Sequence, residues 1–181
     1  VTLANPVAGY SSFRTRVRFL NDLGDSEQTP SDLATVADYT HLTALRAPRP
    51  TLLTFNAKDN CCFASDHALP PLLEAARPIF QLYDAPDRLR FHINFEPGDH
   101  NFGLENREAL YKILKDFISA ETQFDSKEIP CDAEIKSDEA LQVELPAVNQ
   151  TFNTLARTLA KSLPHQLELP ISKGAAQQWQ K

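Results

Sequence analysis

Two β-capable runs on either side of one long helical run constrain the fold of this chain most. The run TLLTFN, residues 51–56, is short and apolar and precedes a polar turn, which predicts a buried strand. The run LRFHINFE, residues 89–96, places on one face Leu89, Phe91, Ile93 and Phe95. Between them, residues 68–83 predict a helix with a kink at Pro78. A strand, a helix and a strand in this order predict an α/β fold with parallel strands.

The flanking segments extend this alternation. VTLANPVAG, residues 1–9, predicts a first short strand, and residues 11–22 predict a helix capped by serine. Residues 31–39, SDLATVADY, predict a short helix that begins at its serine. Residues 104–120 predict a helix with one apolar stripe, formed by Leu110, Ile113, Leu114, Phe117 and Ile118. We therefore assign residues 1–121 to one α/β domain.

Residues 122–181 differ in character from the rest of the chain. Their first part is acidic and poor in aromatic residues, which is typical of a linker. NQTFNTLARTLAKSL, residues 149–163, predicts an amphipathic helix with one apolar row, formed by Phe152, Leu155, Leu159 and Leu163. We expect an irregular and helical extension here.

The charge and composition exclude several classes of protein. With a net charge of -6, the chain lacks the basic face that a nucleic-acid-binding protein needs. No apolar run approaches the roughly 18 residues of a membrane span. The three cysteines have no zinc-binding spacing, so we predict neither a metal nor another cofactor. The sequence contains no methionine, and we expect it to be a piece of a longer protein.

Asp59 and His100 are the first candidates for a functional pair. Asp59 lies three residues beyond the first strand run, and His100 lies four residues beyond the second. Parallel strands joined by a helix end at the same edge of the sheet, where open α/β sheets bind their ligands. A carboxylate beside an imidazole fixes its tautomer and stabilises the imidazolium. Asp66 and Asp99 are alternatives to Asp59 in this role.

A hydrolase of the Ser-His-Asp type also needs a nucleophile, and Ser11 is the candidate. It lies in GYSSF, residues 9–13, which resembles the G-x-S-x-G turn without its second glycine. The order Ser11, Asp59, His100 matches that of α/β-hydrolases, but capping of the following helix also explains the serine. Cys61 and Cys62 follow Asp59 in the same loop, which is a poor arrangement for attack.

The segments APRPTLLTFNAKDNCCF and DRLRFHINFEPGDHNFGLENREALYKILKDF resemble bacterial α/β-hydrolases of the acetylxylan-esterase-like and dienelactone-hydrolase-like group. The resemblance implies the C-terminal part of an α/β-hydrolase fold, a mostly parallel sheet flanked by helices. It implies that residues 1–9, 51–56 and 89–96 correspond to the family's sixth, seventh and eighth strands. Asp59 then takes the place of the family's acid and His100 that of its histidine. The family's serine would lie upstream of residue 1.

The resemblance implies the acid and base of a serine ester hydrolase, acting on a small ester or an acylated carbohydrate. On its own, the chain would then have little activity and would self-associate or bind the upstream half of the same protein. Two alternatives stay open: a minimal hydrolase that uses Ser11, and a non-catalytic α/β binding or interaction module. The sequence does not decide between a bacterial cytoplasmic and an exported protein.

Overall fold

The computed structural model describes residues 1–20, 22, 29–119, 125–163 and 171–179. The chain divides into two compact units, Val1–Pro130 and Cys131–Lys181. The domain boundary predicted after residue 121 falls within residues 120–124, which lie outside the described residues. The first unit contains a parallel sheet with helices, so the α/β class is confirmed for this part of the chain.

The sheet has two strands, β1 (Thr51–Asn56) and β2 (Leu89–Asn94). They are parallel, with Thr51 opposite Leu89 at one end and Asn56 opposite Asn94 at the other. The strand predicted over residues 1–9 is reduced to two isolated parallel bridges to β1, made by Ala4 and Val7. Pro6 lies between these two residues and has no N–H to donate, so a regular ladder cannot form there.

Among its described residues, the first unit contains four α-helices. They are α1 (Phe13–Arg18), α2 (Tyr39–Ala44), α3 (Ser65–Leu82) and α4 (Leu104–Phe117). Short 3-10 turns occur at Leu33–Thr35 and Pro86–Arg88. The predicted helices at the positions of α1, α3 and α4 are confirmed, and α3 continues through Pro78 to Leu82.

The helix predicted over residues 31–39 is wrong in position. A 3-10 turn occupies Leu33–Thr35, and α2 begins only at Tyr39. The N-cap is Asp38, whose N–H donates to His41 Nδ1 at 2.9 Å. The Asp38 carboxylate accepts the N–H of Phe13 at 3.1 Å, which fixes this residue against the start of α1. A local capping box with His41 and a contact with the distant Phe13 therefore both fix Asp38 at the start of the helix.

The core lies between α3 and the sheet. One face of α3 is buried, and its apolar members are Ala68, Leu69, Leu72, Leu73, Ala76 and Phe80. Ala68, Leu69, Leu72 and Leu73 form a cluster with Leu53, Phe55 and Phe63 of the sheet and the following loop. Leu89 and Ile93 of β2 pack against this cluster. The predicted apolar face of β2 is only partly buried, because Phe91 and Phe95 are exposed. The Arg77 guanidinium lies over the Phe91 ring.

The second unit contains α5 (Phe152–Ala160), α6 (Lys173–Trp179) and a 3-10 turn at Asp132–Glu134. The helix predicted over residues 149–163 is thus confirmed as α5. Its N-cap is Thr151, whose hydroxyl accepts the N–H of Thr154. Among the described residues of both units, no helix combines the length and apolarity that crossing a bilayer requires.

Candidate functional site

Hydrogen bonds continue past the ends of the two strands and tie the following loops together. The Ala57 N–H donates to the Asn94 carbonyl at 2.9 Å, and the Lys58 N–H donates to the Gly98 carbonyl at 2.8 Å. Farther along, the His100 N–H donates to Asn60 Oδ1 at 3.1 Å. These hydrogen bonds hold the two loops side by side, and Asp59 therefore lies beside His100.

The structure brings Asp59 and His100 into direct contact. His100 Nδ1 lies 3.0 Å from Asp59 Oδ2 and 3.2 Å from Asp59 Oδ1. The Asp59 side chain is fully buried, whereas 47% of the His100 side chain is exposed. The pair thus has a buried acidic end and a solvent-facing imidazole. The predicted contact of these two residues is present, and their catalytic role stays a prediction.

Backbone and side-chain donors surround the Asp59 carboxylate. Its Oδ1 accepts the N–H groups of Cys61 at 3.0 Å and Cys62 at 3.1 Å, and its Oδ2 accepts Asn56 Nδ2 at 3.3 Å. Burial raises the pKa of Asp59, but the bonds from Cys62, Cys61, His100 and Asn56 together outweigh it. The net effect lowers the pKa of Asp59 below its ordinary value, so the carboxylate is ionised at neutral pH.

An ionised carboxylate can only accept hydrogen bonds, so His100 Nδ1 carries the hydrogen in this contact. The other ring nitrogen, Nε2, has no hydrogen-bond partner among the described residues. In the neutral ring, Nε2 then holds a lone pair that faces away from Asp59. This arrangement suits a general base that takes a proton at Nε2 while Asp59 stabilises the imidazolium.

Ser11 lies in a different cluster. Its side chain is buried, and Oγ donates to Asp22 Oδ2 at 2.9 Å. Asp22 Oδ1 is 3.1 Å from His67 Nε2, and His67 Nδ1 is 2.7 Å from Asp66 Oδ1. The structure therefore joins Ser11 to Asp22 and His67, and gives it no hydrogen bond to His100 in the described part of the chain. Its role as a nucleophile stays a prediction.

The two alternative acids and His67 have partners of their own. Asp66 contacts His67, and Asp99 Oδ1 accepts Asn101 Nδ2 at 2.9 Å, so neither aspartate is bonded to His100. The Phe19 ring stacks on His67 at 4.0 Å and covers one face of its imidazole. His165 lies outside the described residues.

The cysteines and acidic residues of the described part form no metal site. No group of three or more His, Cys, Asp or Glu side chains there could hold an ion. Cys61 is exposed and Cys62 is buried, so only one of the two neighbouring thiols packs into the core. The Cys61 and Cys62 N–H groups donate to Asp59 and so contribute to the site.

Sequence reasoning missed a group of amides behind the pair. Four asparagines lie at strand ends, in the His100 loop and on α4, and they are Asn56, Asn94, Asn101 and Asn106. Three of them are buried, at Asn56, Asn94 and Asn106. The sequence does contain a signal for these amides, because each of the two strand runs, TLLTFN and LRFHIN, has an asparagine at its sixth position.

The comparisons with known proteins add no assignment. No protein-family model, no curated protein and no solved structure matches this chain. The functional interpretation consequently depends on the geometry of the Asp59–His100 pair and on the sequence resemblance stated above.

Proposed function

We propose that the chain supplies the acid and base of a serine-type ester hydrolase. The observation that supports this proposal is the state of the His100 ring. Its Nδ1 is bonded to a buried, ionised Asp59, while Nε2 is unpartnered among the described residues on a half-exposed ring. A surface histidine with a simple turn role would not need a buried carboxylate held by four donors.

In the proposed reaction, a serine hydroxyl attacks the ester carbonyl and His100 Nε2 takes the hydroxyl proton. The tetrahedral intermediate collapses, and the imidazolium delivers that proton to the leaving alcohol. Water then attacks the acyl-enzyme in the same way, with His100 first taking and then returning a proton. Asp59 keeps the ring oriented and stabilises its positive charge during both halves of the reaction.

We propose that a polypeptide segment outside residues 1–181 supplies the attacking hydroxyl. The bond between Ser11 and the buried Asp22 supports this choice, because the Ser11 hydroxyl is already committed to a carboxylate. The sequence resemblance supports it as well, since the family's serine precedes the sixth strand. The proposed substrate is a small ester, such as an acetylated carbohydrate, and the proposed partner is the upstream part of the same hydrolase.

Hydrolysis of p-nitrophenyl acetate tests the proposal in the natural gene product that carries this chain. We expect His100→Ala to lower kcat/KM by about 10⁴-fold, and Asp59→Asn to lower it by a similar order, because members of a triad act together. Lys58→Ala is the matched control. It removes an exposed ion pair between Lys58, in the loop that carries Asp59, and Glu96, in the loop that carries His100. It removes no bond to His100 itself, so activity should persist.

The outcomes separate the alternatives. Absence of turnover by the gene product on short acyl esters would favour the non-catalytic binding module. Turnover that survives His100→Ala would remove this pair from the reaction. Turnover by residues 1–181 alone that is lost in Ser11→Ala would identify the minimal hydrolase instead.

A further inference from the structure

The amide of Asn56 is shared between the loops that carry Asp59 and His100. Asn56 is the last residue of β1 and is completely buried. Its Nδ2 donates to Asp59 Oδ2 at 3.3 Å and to the Asn101 carbonyl at 3.2 Å. Asn101 directly follows His100. One amide group therefore contacts the carboxylate of the pair and the backbone beside its imidazole.

A second buried amide fixes the direction of the first. Asn106, on α4, donates from Nδ2 to Asn56 Oδ1 at 3.0 Å and to the Asn101 carbonyl at 3.0 Å. If the Asn56 amide were reversed, its oxygen would face the Asp59 carboxylate and the Asn101 carbonyl, and all three groups only accept. In the observed orientation of the Asn56 amide, each of its hydrogen bonds joins a donor to an acceptor.

We infer that Asn56 is a positioning residue, held by Asn106, which keeps the Asp59 carboxylate and the His100 loop in one arrangement. Asn56 touches neither the proposed substrate nor the His100 ring and acts through Asp59 and Asn101. The kinetic consequence depends on the proposed function, whereas the effect on the His100 ring does not. A buried donor whose orientation is fixed limits how far the Asp59 carboxylate can rotate away from His100 Nδ1.

Side-chain ¹⁵N NMR of histidine tests this inference without any substrate. His100→Ala identifies the His100 signals, and the spectra are compared at a pH where the ring is neutral. We expect the wild-type ring to be mainly the Nδ1–H tautomer. Asn56→Leu keeps a similar shape and removes the donor, and it should shift the ring toward the Nε2–H tautomer. Asn106→Leu should shift it in the same direction, because the Asn56 amide loses the donor to its oxygen and then holds the Asp59 carboxylate less firmly.

Thr54→Val is the matched control. Thr54 is buried two residues earlier on β1, and its hydroxyl donates to Asn5 Oδ1 at 2.8 Å, with no bond to Asp59 or His100. This variant loses a buried hydrogen bond from the same strand, and its His100 tautomer should stay as in the wild type. If Asn56→Leu and Thr54→Val give the same tautomer populations, the inference is overturned. Asn56→Ala replaces Asn56→Leu if the leucine variant does not fold.

Kinetics in the gene product separate this inference from the proposed function. We expect Asn56→Leu to lower kcat by about 10- to 100-fold with little change in KM, since a small displacement of catalytic groups slows the reaction more than it weakens binding. A shift of tautomer without any ester hydrolysis in the wild type would support the positioning role and refute the hydrolase. A tautomer shift in Asn56→Leu but not in Asn106→Leu would overturn the part assigned to Asn106.

Discussion

His100 Nδ1 lies within 3.2 Å of both carboxylate oxygens of Asp59, although 41 residues separate the two in sequence. The contact joins a fully buried carboxylate to an imidazole that is half exposed. The hydrogen-bond donors around Asp59 keep its carboxylate ionised despite this burial, while the His100 ring stays accessible to solvent. The first prediction therefore concerns how the charge of the Asp59 carboxylate affects stability.

Asp59→Asn should destabilise the protein at neutral pH and much less in acid. The pKa of Asp59 is lowered in the folded protein, whereas the unfolded chain has the ordinary value of about 3.9. The ionised carboxylate thus stabilises the fold above about pH 4, and this contribution disappears as the pH falls through the folded-state pKa. At pH 7 we expect a loss of about 1–3 kcal/mol in the free energy of unfolding.

Urea unfolding at several pH values between 7 and 3 measures this difference. Asp87→Asn is the control, because Asp87 is exposed and its carboxylate accepts no hydrogen bond among the described residues. The difference between wild type and Asp59→Asn should narrow toward pH 3, while Asp87→Asn should stay within about 0.5 kcal/mol throughout. A difference that stays constant with pH would contradict a lowered pKa for Asp59.

Ser11→Ala should destabilise the first unit. The hydroxyl donates to the buried Asp22 carboxylate, and its removal leaves that carboxylate with one fewer donor. We expect a loss of about 1–3 kcal/mol in urea unfolding at pH 7. Ser31→Ala, at an exposed position, should change stability by less than about 0.5 kcal/mol. Unchanged stability together with loss of ester hydrolysis would instead identify Ser11 as a nucleophile.

Topology alone was enough to predict that Asp59 and His100 meet. Two parallel strands end at one edge, so residues at similar distances beyond them come together whatever the details of the loops. The register of the sheet agrees with this reasoning, because Asn56 and Asn94 lie opposite each other at the ends of the two strands. The spacing of the sequence predicted the contact, but not the N–H groups of Cys61 and Cys62 that donate to Asp59 and lower its pKa.

Other features depend on contacts that no local pattern encodes. Helix α2 begins after Asp38, not at the serine predicted as the cap, and the Asp38 carboxylate accepts the N–H of the distant Phe13. The bond from Ser11 to Asp22 likewise joins two polar residues with no periodic signal between them. Hydrogen bonds between segments that do not follow paired strands were therefore the part that the sequence could not supply.

Gly98→Ala should disturb the loop that carries His100. Gly98 has a φ of +78°, and an added Cβ would lie 2.7 Å from the Phe95 carbonyl oxygen. A left-handed backbone costs a non-glycine residue about 1–2 kcal/mol, and the clash adds to this cost. We expect a lower midpoint of thermal unfolding and a change in the ¹⁵N signals of the His100 ring.

Gly9→Ala is the control for this loop. Its added Cβ would make only ordinary van der Waals contact, 3.7 Å from the Val7 carbonyl oxygen. It should leave the His100 signals unchanged and the unfolding midpoint close to that of the wild type. Equal effects of the two substitutions would contradict a special conformation at Gly98.

Leu72→Ala and Leu82→Ala, on the same helix α3, test where the core lies. Leu72 is completely buried against the sheet, whereas 80% of Leu82 is exposed at the end of the helix. Removing the buried side chain leaves a cavity and should lower the free energy of unfolding by about 2–5 kcal/mol. Removing the exposed one should cost less than about 0.5 kcal/mol.

Urea unfolding of both variants gives the comparison. Similar losses from the two substitutions would mean that another molecule covers the end of α3. The sequence predicts self-association, and sedimentation of the wild type would detect it.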